Sequence, residues 1–384
     1  MFGAMFVGLS GMNTYSKGLR QISNNITNLN SQGFKATKLL FSDVFSAGAG
    51  GAGRGQGVTL AEGRLDFSQG ELRQSDQDLD LAIEGDGFLV LLKDGDQYFT
   101  RTGSFEINEA GDLVLAGTDY RLTVLDANGA ASAISVNAYR TNPAQATTRV
   151  KFSDNLSSSA TELSLSNIRV FNEQGASDAW NVRFERTETS PAGEWTVIVR
   201  NSQGAEIGRQ TLRFTGSIVD PTTSSLVFSE SATGRSATFD FSAQVTSFSS
   251  GQVSTLRVAE ADGRAAGEIR TVRVNDAGVL EVSYTNEQTT AIGAVALARF
   301  QNPQNLEQRS GGLFVSEGAR PEFLSSANEA VGRVIGRRLE AGNVDLAKEF
   351  GELILVQRGF QASSQVVSVS NDMIQQLFGI RGQG

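Results

Sequence analysis

The chain has 384 residues, room for two or three domains, and its 39% hydrophobic and 20% charged residues, with 42 glycines and 5 prolines, mark an ordered globular protein. Cysteine and histidine are both absent, which excludes disulfides, thiolate nucleophiles, the usual zinc ligand sets and the side chain most often used for acid–base work near neutrality. A formal charge of -9 with scattered Lys and Arg excludes general nucleic-acid binding, and no apolar run reaches the roughly 18 residues of a membrane-spanning helix.

The N-terminus, MFGAMFVGLSGMNTYSKG, is apolar, but no basic stretch precedes the apolar one and no convincing cleavage site follows, so it is expected to stay in the mature protein. From Met5 to Asn30 apolar residues recur at helical spacing. Met12, Leu19 and Ile26 share one heptad position, and Tyr15, Ile22 and Leu29 another, the pattern of a coiled-coil seam. Asn24, Asn25, Asn28 and Asn30 flank that seam. Asparagine is a mediocre helix former, so the segment is expected to be marginal alone and firm when packed, its amides bonding to neighbouring helices or to water. Gly33 offers a left-handed stop, which ends the expected helix near Ser31.

An extended Gly-rich linker is predicted over 35–75, clearest at Ala47 to Gly57, AGAGGAGRGQG. GAGGAG satisfies G-x-G-x-x-G but lacks the preceding strand and following helix of a dinucleotide site. Asp76, Asp78 and Asp80 begin like a calcium loop, yet Leu81 stands where the turn glycine belongs and Gly87 where the bidentate Glu belongs, so a solvated strand edge is expected. Glu84 and Asp86 are a carboxylate pair of the sort any acidic protein offers, and not evidence of a glycosidase. Asn25-Ile26-Thr27 and Asn155-Leu156-Ser157 match the glycosylation sequon, the first where a glycan would block helix packing. No catalytic residue, metal or cofactor is expected, and no enzymatic activity.

Between the termini, short alternating or apolar runs bounded by Gly, Asn, Asp and Ser predict strands, among them GFLVLL, YFTRTGSFEI, IRVFN, WNVRFER, WTVIVR, TLRF, ATFDF, RTVRVN and LEVSY. Turn signals at Asn128-Gly129, Asp262-Gly263 and Asp276 to Gly278 suit antiparallel sheets. Weaker boundaries near Thr141 to Thr148 and Asn286 to Thr290 divide the middle into an inner β-domain, 76–144 plus 287–342, and an outer β-domain, 145–286, inserted into it.

At the C-terminus Leu346, Leu353, Phe360, Val367 and Ile374 lie seven apart, with Phe350, Gln357, Ser364, Asn371 and Phe378 as the expected companion row. Asn343 and Asp345 offer N-caps and Gly379 a stop, predicting a helix from about Asn343 to Phe378. Polar residues in a seam fix register and partner at a cost in stability, so this helix is built for a specific partner. The expected fold is multidomain α+β. Paired terminal helices, 1–34 plus 343–384, form a coiled-coil domain, with two antiparallel β-rich domains between them.

The stretch LSGMNTYSKGLRQISNNITNLNSQGFKATKLLFSDVF, Leu9 to Phe45, resembles the N-terminal signature of the bacterial flagellar rod and hook axial proteins. The resemblance continues in DLDLAIEGDGFLVL, YFTRTGSFEINEAGDLV and LEAGNVDLAKEFGELILVQRGFQASSQ, and covers nearly the whole chain. TTRVKFSDNLSSSAT, IRVFNEQGASDAWNVRFER and AIGAVALARFQNPQNLEQRSGGLF resemble the hook type; rod subunits resemble the two ends about as well but usually lack so large an inserted β-domain. Gly342 and Ser363 stand where the family more often has Ser and Asn.

The resemblance implies a subunit exported unfolded by the flagellar type III apparatus without a cleaved signal, and polymerised outside the cell under a hook cap. The product would be a flexible tube that transmits torque from rod to filament and encloses the export channel. Its implied partners are itself, the rod subunit, the hook cap and the hook–filament junction proteins, with no nucleic acid and no membrane insertion. Phe2 and Phe6 look like the F-x-x-x-apolar element that engages the export gate. A distal rod subunit is the alternative, and a secreted adhesin or glycoside-active protein a remote one.

Overall fold

The computed structural model describes residues 2–46, 54–61, 63–126, 128–186, 191–316, 318, 321–326 and 332–381. A 26-residue helix α1, Phe2–Thr27, begins the described chain and a 36-residue helix α2, Leu346–Arg381, ends it, with strands and short 3-10 turns between. Both helices differ at their ends from the sequence expectation. α1 stops at Thr27, where Asn28 to Asn30 form turns before Gly33 takes φ 65°. α2 starts at Leu346, because Asp345 Oδ1 accepts from the Ala347 and Lys348 amides as the N-cap, while Asn343 bonds elsewhere. At its far end α2 runs through Gly379 to Arg381.

The chain forms two compact units. The first comprises 1–137, 272–282 and 290–384, and the second 138–271 and 283–289. In the first, a sheet runs through the strands Leu306–Arg309, Leu313–Ser316, Asp96–Thr100, Phe88–Lys93, Arg121–Leu125, Leu113–Leu115, Thr102–Ile107, Asp80–Glu84 and Arg333–Gly336, in that spatial order. The predicted single strand from Tyr98 to Ile107 is broken at Arg101, whose side chain turns inward and is buried. Phe88, Phe99, Phe300 and Phe314 form the aromatic centre of this core, with edge-on rings 4.9 to 5.7 Å apart. Asp80 lies inside rather than on a solvated edge: its carboxylate accepts from the hydroxyls of Ser75 and Ser104. Glu84 is paired with Arg333 at 2.6 Å.

The segment 35–75 is paired where it is described, and does not run as an extended linker. Thr37–Lys38 pairs with Arg64–Leu65, and Phe41–Ser46 with Arg54–Leu60, both antiparallel. Its glycines serve close approach: a Cβ on Gly57 would sit 2.8 Å from Ser10 Oγ of α1. Gly48 to Gly53 lie outside the described residues.

In the second unit the sheet order is Glu162–Phe171, Ser177–Glu185, Glu194–Arg200, Glu206–Thr215, Ile218–Val219, Arg235–Thr246, Arg149–Asn155 and Arg257–Ala261. One pair, Arg149–Asn155 with Arg235–Thr246, is parallel, which alternation alone does not reveal. Trp180, Trp195, Phe152, Phe184, Phe239 and Phe241 are buried at its centre. Inward side chains alternate with outward polar ones along these strands, the pattern of a sheet with one buried face.

Candidate assembly surface

α1 and α2 pack along one another within the first unit, and glycine sets how close they come. The buried residues of α1 are Gly8, Gly11, Thr14, Gly18, Ile22 and Asn25, recurring every three or four residues along one stripe. A Cβ on Gly8 would lie 2.7 Å from Val367 Cγ2, one on Gly11 would overlap Ser363 Oγ, and one on Gly18 would lie 3.3 Å from Val356 Cγ1. From the other side, Gly359 of α2 accommodates the ring of Tyr15. The hairpin packs on α1 as well, since Ser10 Oγ and Thr14 Oγ1 both donate to the Val58 carbonyl at 2.6 and 2.8 Å, and the Tyr15 and Phe41 rings lie 5.7 Å apart.

Among the expected seam positions of α1, Ile22 is buried and Met12, Tyr15, Leu19, Ile26 and Leu29 are half-buried. On α2, Leu353, Phe360, Val367 and Ile374 are half-buried, while Leu346, Phe350, Gln357, Ser364 and Asn371 are exposed. The row that accompanies Leu353, Phe360 and Val367 against α1 is Glu349, Val356, Ser363 and Ser370, one residue before the expected companions. Ser363 of this row meets the glycine-lined face of α1 at Gly11, and Val356 meets it at Gly18. The side chain of Phe378 lies outside the described set.

The exposed apolar residues form a second surface. Most of the large apolar side chains left in solvent belong to the two helices: Phe2, Phe6, Val7 and Leu9 on α1, and Leu346, Phe350, Ile354, Leu355, Val366, Val369 and Met373 on α2. Leu355 is 70% exposed and Phe6 66%. So many large apolar side chains left in solvent on two packed helices point to contact with another molecule.

The four asparagines part company. Asn25 is buried, and its amide does three things at once. Nδ2 donates to the Thr37 carbonyl and to Glu349 Oε1, each at 3.0 Å, and Oδ1 accepts from the Thr37 amide at 3.1 Å. It therefore ties α1, the Thr37–Lys38 strand and the first turn of α2 together. Asn28 Nδ2 donates to the Asn24 carbonyl at 2.9 Å and its Oδ1 accepts from Ser31, closing the end of α1; Asn30 is exposed. Asn25 and Asn155, the two sequon asparagines, are both buried and hydrogen-bonded through their amides.

Glu349 is buried with Oε2 unpartnered, and burial raises its pKa, as do Glu352 and Asp345; the Asn25 hydrogen bond and Lys348 act against the rise. Just before α2 lies a buried charge cluster that hydrophobic periodicity cannot reveal. Lys35 Nζ contacts Glu340 Oε1 at 2.6 Å and donates to the Ser68 carbonyl, and Arg101 Nε contacts Glu340 Oε2 at 3.3 Å. The remaining Arg101 donors reach the Gly85 and Gly87 carbonyls, and Glu340 also accepts from the Gly70 amide. Desolvation lowers the Lys35 pKa, against the attraction of Glu340. The adjoining Asn343 accepts from the Ala36 amide and donates to the Asp66 and Ser68 carbonyls, so the segments leaving α1 and entering α2 are held to the same floor. Among the described residues no cluster suits a metal ion, and no helix is long and apolar enough to cross a membrane.

Two family profiles match the chain: "Flagellar hook protein FlgE/F/G D1 domain" over residues 82–153, and "Flagellar basal body rod FlgEFG protein C-terminal" over 336–380. The second match covers most of α2. The flagellar hook protein FlgE of Brucella suis is 28% identical over 99% of both chains, and that of Escherichia coli K12 is 28% identical over 97% of this chain and 98% of its own. The profiles and these relatives together indicate a flagellar hook protein. The crystal structure of the Helicobacter pylori hook protein FlgE2 aligns with 71% of this chain and 99% of its own at a TM-score of 0.48 and 12% identity.

Proposed function

We propose that the chain is the structural subunit that self-assembles into the bacterial flagellar hook, a flexible tube that joins rod to filament, transmits torque and encloses the export channel. The observation that carries this reading is the unburied apolar surface of both terminal helices, which a single subunit leaves in water. In the assembled tube, Leu346, Phe350, Gln357, Ser364 and Asn371 of α2 face helices of neighbouring copies, while Leu353, Phe360, Val367 and Ile374 meet the α1 row of Met12, Tyr15, Leu19, Ile22, Ile26 and Leu29. The helices line the wall as a coiled coil, and the β-rich units touch neighbouring copies through smaller contacts that remake as the hook bends. Phe2 and Phe6, 65% and 66% exposed, are free to engage the export gate. The partners on this reading are further copies, the rod, the hook cap and the junction proteins, and the subunit works outside the cell.

The test is assembly itself. Full-length subunits are expected to form tubes, and a version trimmed to residues 35–342 is expected to stay dispersed with its β-units folded. Tubes from the trimmed chain would overturn the assignment of assembly to the helices.

A further inference from the structure

One end of the second unit is built to hold apolar side chains out in solvent. The stretch 241–256 contains no charged residue, and neither do 214–219 and 155–161, which lie beside it. The three are joined by backbone bonds: Ser247 donates to the Ser217 carbonyl, Leu156 to that of Thr246, and Leu256 to that of Asn155. From this surface project Ile218 and Val253, each 70% exposed, and Phe248, 53% exposed.

The loop carrying Phe248 and Val253 is stapled from beneath by buried polar side chains. Asn155 Nδ2 donates to the Phe248 carbonyl and Ser250 Oγ, and its Oδ1 accepts from the Phe248 amide at 2.9 Å. Ser157 Oγ donates to the Gly251 carbonyl at 2.6 Å and accepts from the Ser250 amide. Ser254 Oγ accepts from the Ser157 amide, and Ser247 Oγ donates to the Leu156 carbonyl. Such a network fixes the loop before any partner arrives, which removes the ordering cost of binding. Burial in the unit's own core does not explain Phe248 and Val253, because neither enters it.

We propose that this uncharged knob, Ile218, Phe248 and Val253, docks on a second copy of the chain, an inference that rests on the polymer reading. Electrostatics selects the occupant. Identical molecules of net charge -9 repel wherever like charges meet, and a charge-free patch is where two of them approach without that penalty. A partner of opposite charge gains nothing from such a patch. Three side chains fall far below the roughly 800 Å² per partner of a stable interface. The contact therefore forms within the polymer, where other contacts supply a high effective concentration, and leaves free subunits apart.

The test places the photoreactive p-benzoylphenylalanine at Phe248 and compares free subunits with assembled tubes. Irradiated tubes are expected to give adducts joining two copies, and free subunits none; adducts confined to one chain, or to another protein, overturn the proposal. In parallel, the Phe248→Ser, Val253→Ser double variant is expected to keep the monomer's thermal unfolding and to raise the subunit concentration needed for assembly by about tenfold or more. An unchanged assembly threshold sinks the knob while leaving the hook reading standing. If the unaltered chain forms no polymer, the hook reading fails and the knob falls with it.

Discussion

Replacing Asn25 with leucine removes three hydrogen bonds at once: to the Thr37 carbonyl, from the Thr37 amide, and to Glu349 Oε1. Each buried group left without a partner costs about 1–3 kcal/mol. Glu349 is the worst affected, because its Oε2 already lacks a partner and the substitution strips Oε1 as well. Leucine returns up to about 2 kcal/mol through apolar burial, so a net loss of about 2–5 kcal/mol is expected at the junction of α1, the Thr37 strand and α2. Hydrogen exchange in assembled tubes provides the assay. The amides of Ile22 and Leu353 should exchange at least about 30-fold faster in Asn25→Leu, while those of the second unit's core strands keep their rates. Asn28→Leu loses only a local tie at the end of α1, about 0.5–1.5 kcal/mol, and should fray that end without loosening α2. If Asn25→Leu leaves exchange at Ile22 and Leu353 unchanged, or if Asn28→Leu matches it, the clamp is not what holds the helices.

Gly11→Val should prevent close approach of α1 and α2, since even a Cβ overlaps Ser363 Oγ, and α2 should become sensitive to protease in the assembled state. Glu349 makes docking of α2 pH-dependent. Its pKa is raised when docked, so its contribution is full below the undocked value of about 4.3 and is lost as pH rises through the raised value. Tubes should therefore hold α2 more firmly in mild acid as far as this group is concerned, and Glu349→Gln should flatten that dependence in exchange measured across the same pH range. Glu340→Gln leaves Lys35 and Arg101 buried without their anion and should destabilise the first unit by about 3–5 kcal/mol in thermal unfolding, with the second unit's transition unmoved.

The terminal helices and several of the longer strands were legible because each has a period that side-chain polarity records. Leu353, Phe360, Val367 and Ile374 stood out at seven-residue intervals, and Trp180, Val182 and Phe184 at two. The face of α1 was not legible, because periodicity counts side chains that are present and this face is made of Gly8, Gly11 and Gly18, where they are absent. That omission also misplaced the companion row of α2: Phe350 is the more apolar residue, yet Glu349 is the one turned inward. The Lys35, Arg101 and Glu340 cluster was hidden for another reason. Charged residues read as surface, and these partners lie 305 and 239 positions apart, beyond any local pattern. Asn25 was noticed as an oddity of composition, but only its position between Thr37 and Glu349 distinguishes it from Asn24, Asn28 and Asn30. In the segment 35–75, glycine suggested slack, whereas Gly57 is required by contact with Ser10.

The central claim, that this chain builds the hook, is tested most directly by electron microscopy of basal bodies from a strain lacking it. Completed rods without hooks are expected, with hooks restored by the full-length chain and not by residues 35–342 alone. Rods that fail to complete, or hooks of normal length in the absence of the chain, would contradict the account.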